Sequence, residues 1–175
     1  STPAGKNTIV IVLADHGDGM GSHRMVTKQV SFYEEMTNVP FIIAGPGIHP
    51  RQKPVEDLLT QPTIDLLPTL CELAGIPVPS SKPGISLAPF LKGEKQKRQH
   101  PYAASEWHSE YEVTVSPGRM IRSPRYKYTH YLEGNGEELY DMLKDKGERR
   151  NLAHDPKYSK ILAEHRALLD DYIRR

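Results

Sequence analysis

Cysteine is nearly missing from this 175-residue chain. Cys71 stands alone, so no internal disulfide closes and no cysteine cluster holds zinc. A dominant charge is missing as well: 23 Lys and Arg face 22 Asp and Glu, for a net charge of +1. That balance gives no basic stripe of the kind a nucleic-acid surface needs, so no nucleic-acid partner is expected. Long apolar runs do not occur either. The longest, Thr8 to Ala14, falls far short of the roughly 20 residues of a spanning helix, so no membrane span is expected. The first residues, Ser1-Thr2-Pro3-Ala4-Gly5-Lys6, carry no charged-then-apolar signal pattern. What remains, 37% hydrophobic and 26% charged, is a polar chain long enough to bury a sizeable core.

The run Thr8-Ile9-Val10-Ile11-Val12-Leu13-Ala14 leads directly into Asp15-His16-Gly17. Its lack of alternation predicts a strand buried on both faces, as in a parallel sheet. A carboxylate and an imidazole at the end of such a strand lie where open α/β sheets hold their ligands. Gly17, Gly19 and Gly21 then make a flexible loop, followed by Lys28 and the segment Tyr33-Glu34-Glu35-Met36-Thr37-Asn38-Val39-Pro40. Asp15 is a hard metal ligand, and Lys28 supplies a point charge for an anion. Asp18 reads as loop polarity, and Glu34 and Glu35 as residues that hold the fold by pairing with basic groups.

Further along, a second strand is expected over 39–44 and a helix over Ile64 to Ala74 that stops at Gly75. Pro68 must then lie in its first turn or kink it. Cys71 reads as a buried helix residue. Ser86 to Leu91 is expected to add a short helix. The charged stretch Lys92 to Gln99 marks the boundary between two domains, 1–95 and 96–175. Beyond it the pattern becomes short strands over 101–105, 119–122, 127–131 and 138–142, an antiparallel meander. A final helix is capped by Asp155 with Pro156 at its first position. Tyr158, Ile161, Leu162, His165, Leu168, Leu169, Tyr172 and Ile173 form its apolar stripe. His165, inside that stripe, reads as packing. Glu106 and His108 are candidates for a substrate pocket, while His49, His100, His130 and His154 read as surface residues.

The order of these segments resembles the sulfatases, a branch of the alkaline phosphatase-like superfamily. The resemblance rests on Asp15-His16-Gly17, Lys28 and the Tyr33 to Pro40 run. It is carried on by Ile64-Asp65-Leu66-Leu67-Pro68-Thr69-Leu70 through Ile76, and by Gly84-Ile85-Ser86-Leu87. Arg119-Met120-Ile121-Arg122, Tyr126-Lys127-Tyr128, Glu138-Leu139-Tyr140-Asp141 and Glu148-Arg149-Arg150-Asn151-Leu152 complete it. It implies an α/β fold: part of an alkaline phosphatase-like sheet-and-helix domain, followed by a small antiparallel sheet with a C-terminal helix. By resemblance, Asp15 and His16 are metal ligands, His16 taking a position that is Asn in other sulfatases. Lys28 holds a sulfate oxygen and is a catalytic and substrate-binding residue. His23, between the ligand pair and Lys28, is a second catalytic and substrate-binding candidate, with plain loop exposure as its other reading. The resemblance implies calcium, whereas an imidazole ligand leaves manganese and zinc open.

Sulfatases act through a formylglycine made from a Cys/Ser-x-Pro-x-Arg motif, and no such motif occurs here. Cys71 is followed by Glu72-Leu73-Ala74, and Ser123-Pro124-Arg125 has the wrong spacing. The chain therefore reads as the carboxy-terminal portion of a sulfatase, inactive alone and partnered by the missing amino-terminal part of the same protein. The expected substrate is a sulfated small molecule or glycan. Periplasmic or secreted location follows from resemblance only. Two other readings stay open: a phosphodiesterase or phosphonate hydrolase of the same superfamily, and a non-catalytic module that keeps a metal loop.

Overall fold

The computed structural model describes residues 2–26, 31–56, 58–81, 83–96, 99–108, 117–134 and 136–174. In chain order its elements are β1 (Val10–Leu13), α1 (Glu34–Thr37), β2 (Phe41–Ala44), α2 (Pro62–Ala74) and α3 (Ala88–Leu91). The strands β3 (Ala103–Trp107), β4 (Gly118–Arg122), β5 (Tyr126–Tyr131) and β6 (Glu137–Asp141) follow, and α4 (Ser159–Arg174) closes the chain. The residues cluster into two compact units, Ser1–Asp15 with Val39–Pro101, and His16–Asn38 with Tyr102–Arg175. Residues 16–38, which fall within the first expected domain, thus pack with the second unit.

In the first unit β1 pairs with β2 antiparallel, Val10 opposite Ala44 and Leu13 opposite Phe41. The strand is therefore neither parallel nor buried on both faces, which corrects the expectation from its composition. Val10, Val12 and Ile42 remain 56%, 51% and 57% exposed. The run is more apolar than this two-stranded pairing requires, because β2 covers one edge of β1 and neither of its faces.

Helix α2 starts two residues before its expected position, with Pro62 in the first turn, where a missing N–H costs nothing. It runs through Pro68 without ending there. Pro68 cannot donate to the Ile64 carbonyl, and Gly84 packs against that carbonyl so closely that a Cβ would lie 2.2 Å from its oxygen. Asp65, fully buried, accepts hydrogen bonds from Gln61 N at 2.7 Å and Ile85 N at 2.8 Å. His100 Nε2 meets the same carboxylate at 2.7 Å. His100 is therefore a clasp on Asp65 and not the surface residue its sequence context suggests.

The second unit is the expected meander, in the order β3-β4-β5-β6, antiparallel throughout. Strand alternation gives the sheet two unlike faces. On one, the cross-strand row Ile121–Tyr128–Leu139 is buried with Tyr102, Leu152 and, from α4, Leu162 and Leu169. Asp155 accepts from Lys157 N and opens the turn before α4. His165 is buried in the stripe, with Nδ1 against Ile161 O and Nε2 against Ser123 Oγ, so it packs as expected, and burial lowers its pKa. On the other face lie Lys127, Thr129 and Tyr140, all buried. Segment 31–38 covers them: Phe32 lies against Tyr131 and Tyr33 against Tyr140.

At the rim of the α4 face, Glu137 accepts from the Tyr128 hydroxyl and from both arms of Arg166. The Arg166 guanidinium, ahead of the Tyr128 bond, holds the Glu137 carboxyl below its ordinary 4.5, at about 2. A carboxyl depressed in the folded state stabilises fully above its unfolded pKa, and that contribution is lost as pH falls through the folded value. Glu137→Gln should cost about 0.5–1 kcal/mol at neutral pH, limited by solvent screening at the half-exposed Arg166. The gap between wild-type and variant urea midpoints should close as pH falls from about 4.5 toward 2; a gap constant with pH would contradict the assignment.

Candidate functional site

Asp15 belongs to the first unit and His16 to the second. Asp15 is exposed and His16 half-buried. The Nδ1 of His16 lies 2.8 Å from the carbonyl oxygen of Gly17. A carbonyl can only accept, so this contact places a proton on Nδ1. Metal-binding histidines are commonly oriented this way. Carboxylate and imidazole are side-chain types that bind divalent cations. Lys28, the expected sulfate ligand, lies outside the described residues.

The loop after His16 is tightly constrained. Gly17 N donates to Met36 O at 2.9 Å, and a Cβ on Gly17 would fall 1.7 Å from the Glu35 carbonyl oxygen. No other residue fits there. Gly21 N donates to Met25 O at 2.7 Å, and Met25 is buried beneath the loop. Within it Met20, His23 and Arg24 all hold left-handed φ, at 45°, 50° and 62°. Each such residue stores on the order of 1 kcal/mol or more. The ring of His23 stacks on Tyr33 with centroids 3.7 Å apart, and its Nε2 faces Glu35 Oε2 at 3.8 Å. His23 is thus engaged within its own unit, beside the expected ligands in sequence.

Behind this loop stands a buried ionic network. Lys127 Nζ, 1% exposed, donates to Phe32 O at 2.8 Å and pairs with Glu34 Oε1 at 2.6 Å. Glu148 Oε1 sits 3.0 Å from the same ammonium, close enough for charge attraction though out of line for a hydrogen bond. Glu148 Oε2 accepts from Glu34 N at 2.6 Å, capping α1 from 114 residues away. Burial pushes the Glu148 carboxyl upward in pKa, and Lys127 opposes the shift. Burial likewise raises Glu138 and Tyr33 and lowers Arg122, which lies 3.8 Å from Glu34. Glu34 therefore holds the fold by pairing with a base, as its sequence context predicts.

His23, Glu35 and Glu148 form the metal-compatible cluster among the described residues, their ligand atoms within 4.8 Å of one another. Lys127 already supplies the cation that this cluster would attract, so it reads as an ion-pair network. Sequence reasoning placed Tyr33, Lys127 and Glu148 in segments that carry the resemblance but gave none of them a role. The only signal for Lys127 was its place between Tyr126 and Tyr128, which puts it on the face opposite to theirs. Glu106 pairs with Arg119 at 3.0 Å on the sheet's outer edge, and its pKa is lowered by Tyr172 and Arg119.

The mixed sheets and helices, with a four-stranded antiparallel sheet and a closing helix, are those of the sulfatase branch of the alkaline phosphatase-like fold. Residues 21–175 match the family described as N-sulphoglucosamine sulphohydrolase, C-terminal, and the chain belongs to that family. Among curated proteins it is 78% identical, over all 175 residues, to the Delta 4,5-hexuronate-2-O-sulfatase of Bacteroides thetaiotaomicron, and spans 36% of that protein. Among solved structures it superposes on a 2-O GAG sulfatase with a TM-score of 0.96 and 78% identity, covering 100% of this chain and 38% of the other. It also superposes on the phosphonate monoester hydrolase of Agrobacterium radiobacter, with a TM-score of 0.80 and 26% identity over 97% of this chain and 35% of the other. The sulfatase family implies a divalent metal and a formylglycine in general terms. Among the described residues no helix is long and apolar enough to cross a membrane.

The network carries a prediction of its own. Lys127→Met should cost about 3–5 kcal/mol, because it leaves two carboxylates without their counter-ion. Combined with Glu148→Gln, the loss should fall short of the sum of the single variants by at least ~0.5 kcal/mol. Strict additivity in a denaturation cycle would contradict the pairing.

Proposed function

We propose that this chain is the carboxy-terminal portion of a sulfatase that removes sulfate from a glycan. The reading is carried by the 78% identity to a hexuronate-2-O-sulfatase across every residue of the chain. The contact of His16 Nδ1 with Gly17 O, an orientation common among metal-binding histidines, supports it. The chain spans about a third of the relatives' length, and it contributes one side of a site whose nucleophile lies in the amino-terminal part. The two domains 1–95 and 96–175 are proposed as the parts of the parent to which these residues belong.

Asp15 and His16 would hold the divalent cation, proposed to be calcium. When bound, the cation neutralises the sulfate charge and polarises its oxygens. Asp15 contributes the hard anionic donor. His16 would offer Nε2, since Nδ1 donates to Gly17 O. Lys28 places an ammonium on a sulfate oxygen. Its charge is worth most in the transition state, where negative charge accumulates on the group being transferred. The exposed apolar residues of β1 and β2 are where the amino-terminal part packs.

A phosphonate or phosphate ester hydrolase is the second reading, favoured by the likeness to the phosphonate monoester hydrolase. Its support is weaker, at 26% identity, and a non-catalytic module is weaker still. Assay of the full-length protein on an unsaturated hexuronate 2-O-sulfate and a matched phosphonate ester separates them. Sulfate hydrolysis should dominate by at least ~100-fold. Lys28→Ala and Asp15→Ala should each lower kcat/KM by at least ~100-fold, about 2.7 kcal/mol of transition-state stabilisation. Chelation should abolish turnover, and the isolated 175-residue chain should show none. Preference for the phosphonate, or full activity of Asp15→Ala, would overturn the reading.

A further inference from the structure

The loop after His16 keeps a conformation that its own sequence does not favour. Strain at non-glycine residues persists only where surrounding contacts over-determine it. Two strained residues come together here, His23 at φ 50° and Glu148 at φ 48°, their side chains within 4.8 Å of each other. The contacts that hold them meet at the His23 ring. Its plane lies on Tyr33, 2° from parallel. Its edge faces the Glu35 and Glu148 carboxylates, and 17% of the side chain is exposed. Glu148 is fixed in turn by Lys127 and the Glu34 amide.

Glu35 connects this clamp to the start of the loop. Its carboxylate faces His23, while its backbone carbonyl abuts Gly17, the residue next to His16. The neighbouring Met36 carbonyl accepts the Gly17 N–H. One short helix, α1, thereby registers both the middle of the loop and the peptide that leaves His16.

We infer that His23 is a positioning residue. Clamped by Tyr33, Glu35 and Glu148, it fixes the strained loop 17–26 and through it the orientation of His16. It moves no proton itself. The inference rests on the reading of His16 as a metal ligand, and it deepens that reading by naming what holds the ligand in place.

The test uses the full-length protein carrying His23→Asn. Asn tolerates a left-handed backbone but cannot stack or reach the carboxylates as the ring does. Glu35→Gln is the milder companion, keeping the stack and removing one charge. Amide hydrogen exchange at Gly17, Gly21 and Met25 should accelerate at least ~10-fold, while β4, β5 and β6 keep their protection. With the 2-O-sulfate substrate, kcat should fall ~10- to 100-fold, the range typical of groups that orient a metal ligand. Both limbs of the pH–rate profile should survive. Unchanged exchange in both variants would overturn the inference, as would a loss of protection spread through the whole sheet. Disappearance of one pH limb would overturn it as well, by making His23 a proton-transfer group. Full activity of Asp15→Ala would sink the metal reading while leaving the exchange result standing, so the two failures are separable.

Discussion

A single buried ammonium organises the second unit. Lys127 is 1% exposed, and stripping water from such a charge costs several kcal/mol unless partners replace it. Here the replacement comes from distant segments: the Phe32 carbonyl, Glu34 and Glu148. None is local in sequence, so the charge is satisfied only when segment 31–38, β5 and the connection after β6 are all in place. A pair of this kind adds little net stability over an apolar isostere, yet losing one member is severe. Its contribution is arrangement. It fixes where α1 lies, and α1 fixes the loop that follows His16.

The two faces of the meander divide the labour accordingly. Against α4, the row Ile121, Tyr128 and Leu139 is buried among aliphatic and aromatic neighbours. Burial of that kind is non-directional and scales with area, so it stabilises without dictating fine position. Against segment 31–38, the sheet presents Lys127, Thr129 and Tyr140. Directional bonds and charge pairs there tolerate little displacement. The loop after His16 is tied to the exacting face, and bulk stability comes from the forgiving one.

What the sequence disclosed follows from the same division. The strands after residue 100 and the helix with Asp155 at its cap were legible because period 2 and period 3.6 are written locally. Asp15, His16 and Lys28 stand out in the sequence as a motif whose roles are the proposal made above. Lys127 was not, since nothing near it in sequence announces partners about 90 residues away. His100 was misassigned for the same reason: Asp65 lies 35 residues before it. The misreading of β1 had another origin. Apolar side chains on both faces record the surroundings a strand evolved in, and the antiparallel pairing with β2 accounts for an edge of it only.

Asp65 shows that the principle is not confined to one unit. It is a fully buried carboxylate with donors from Gln61, Ile85 and His100, the mirror image in charge of Lys127. Thr69 extends the clasp, donating to the Asp65 carbonyl and accepting from Leu87 N. In both units one buried charge gathers groups that the chain order keeps apart. Hydrophobic collapse brings these segments close in many ways, but a buried charge rejects every approach that leaves it unpaired. Each unit is therefore specified chiefly by the few polar groups at its centre, and the register of its loops is inherited from them. For the loop that follows His16, this means that its register depends on an ammonium held outside it.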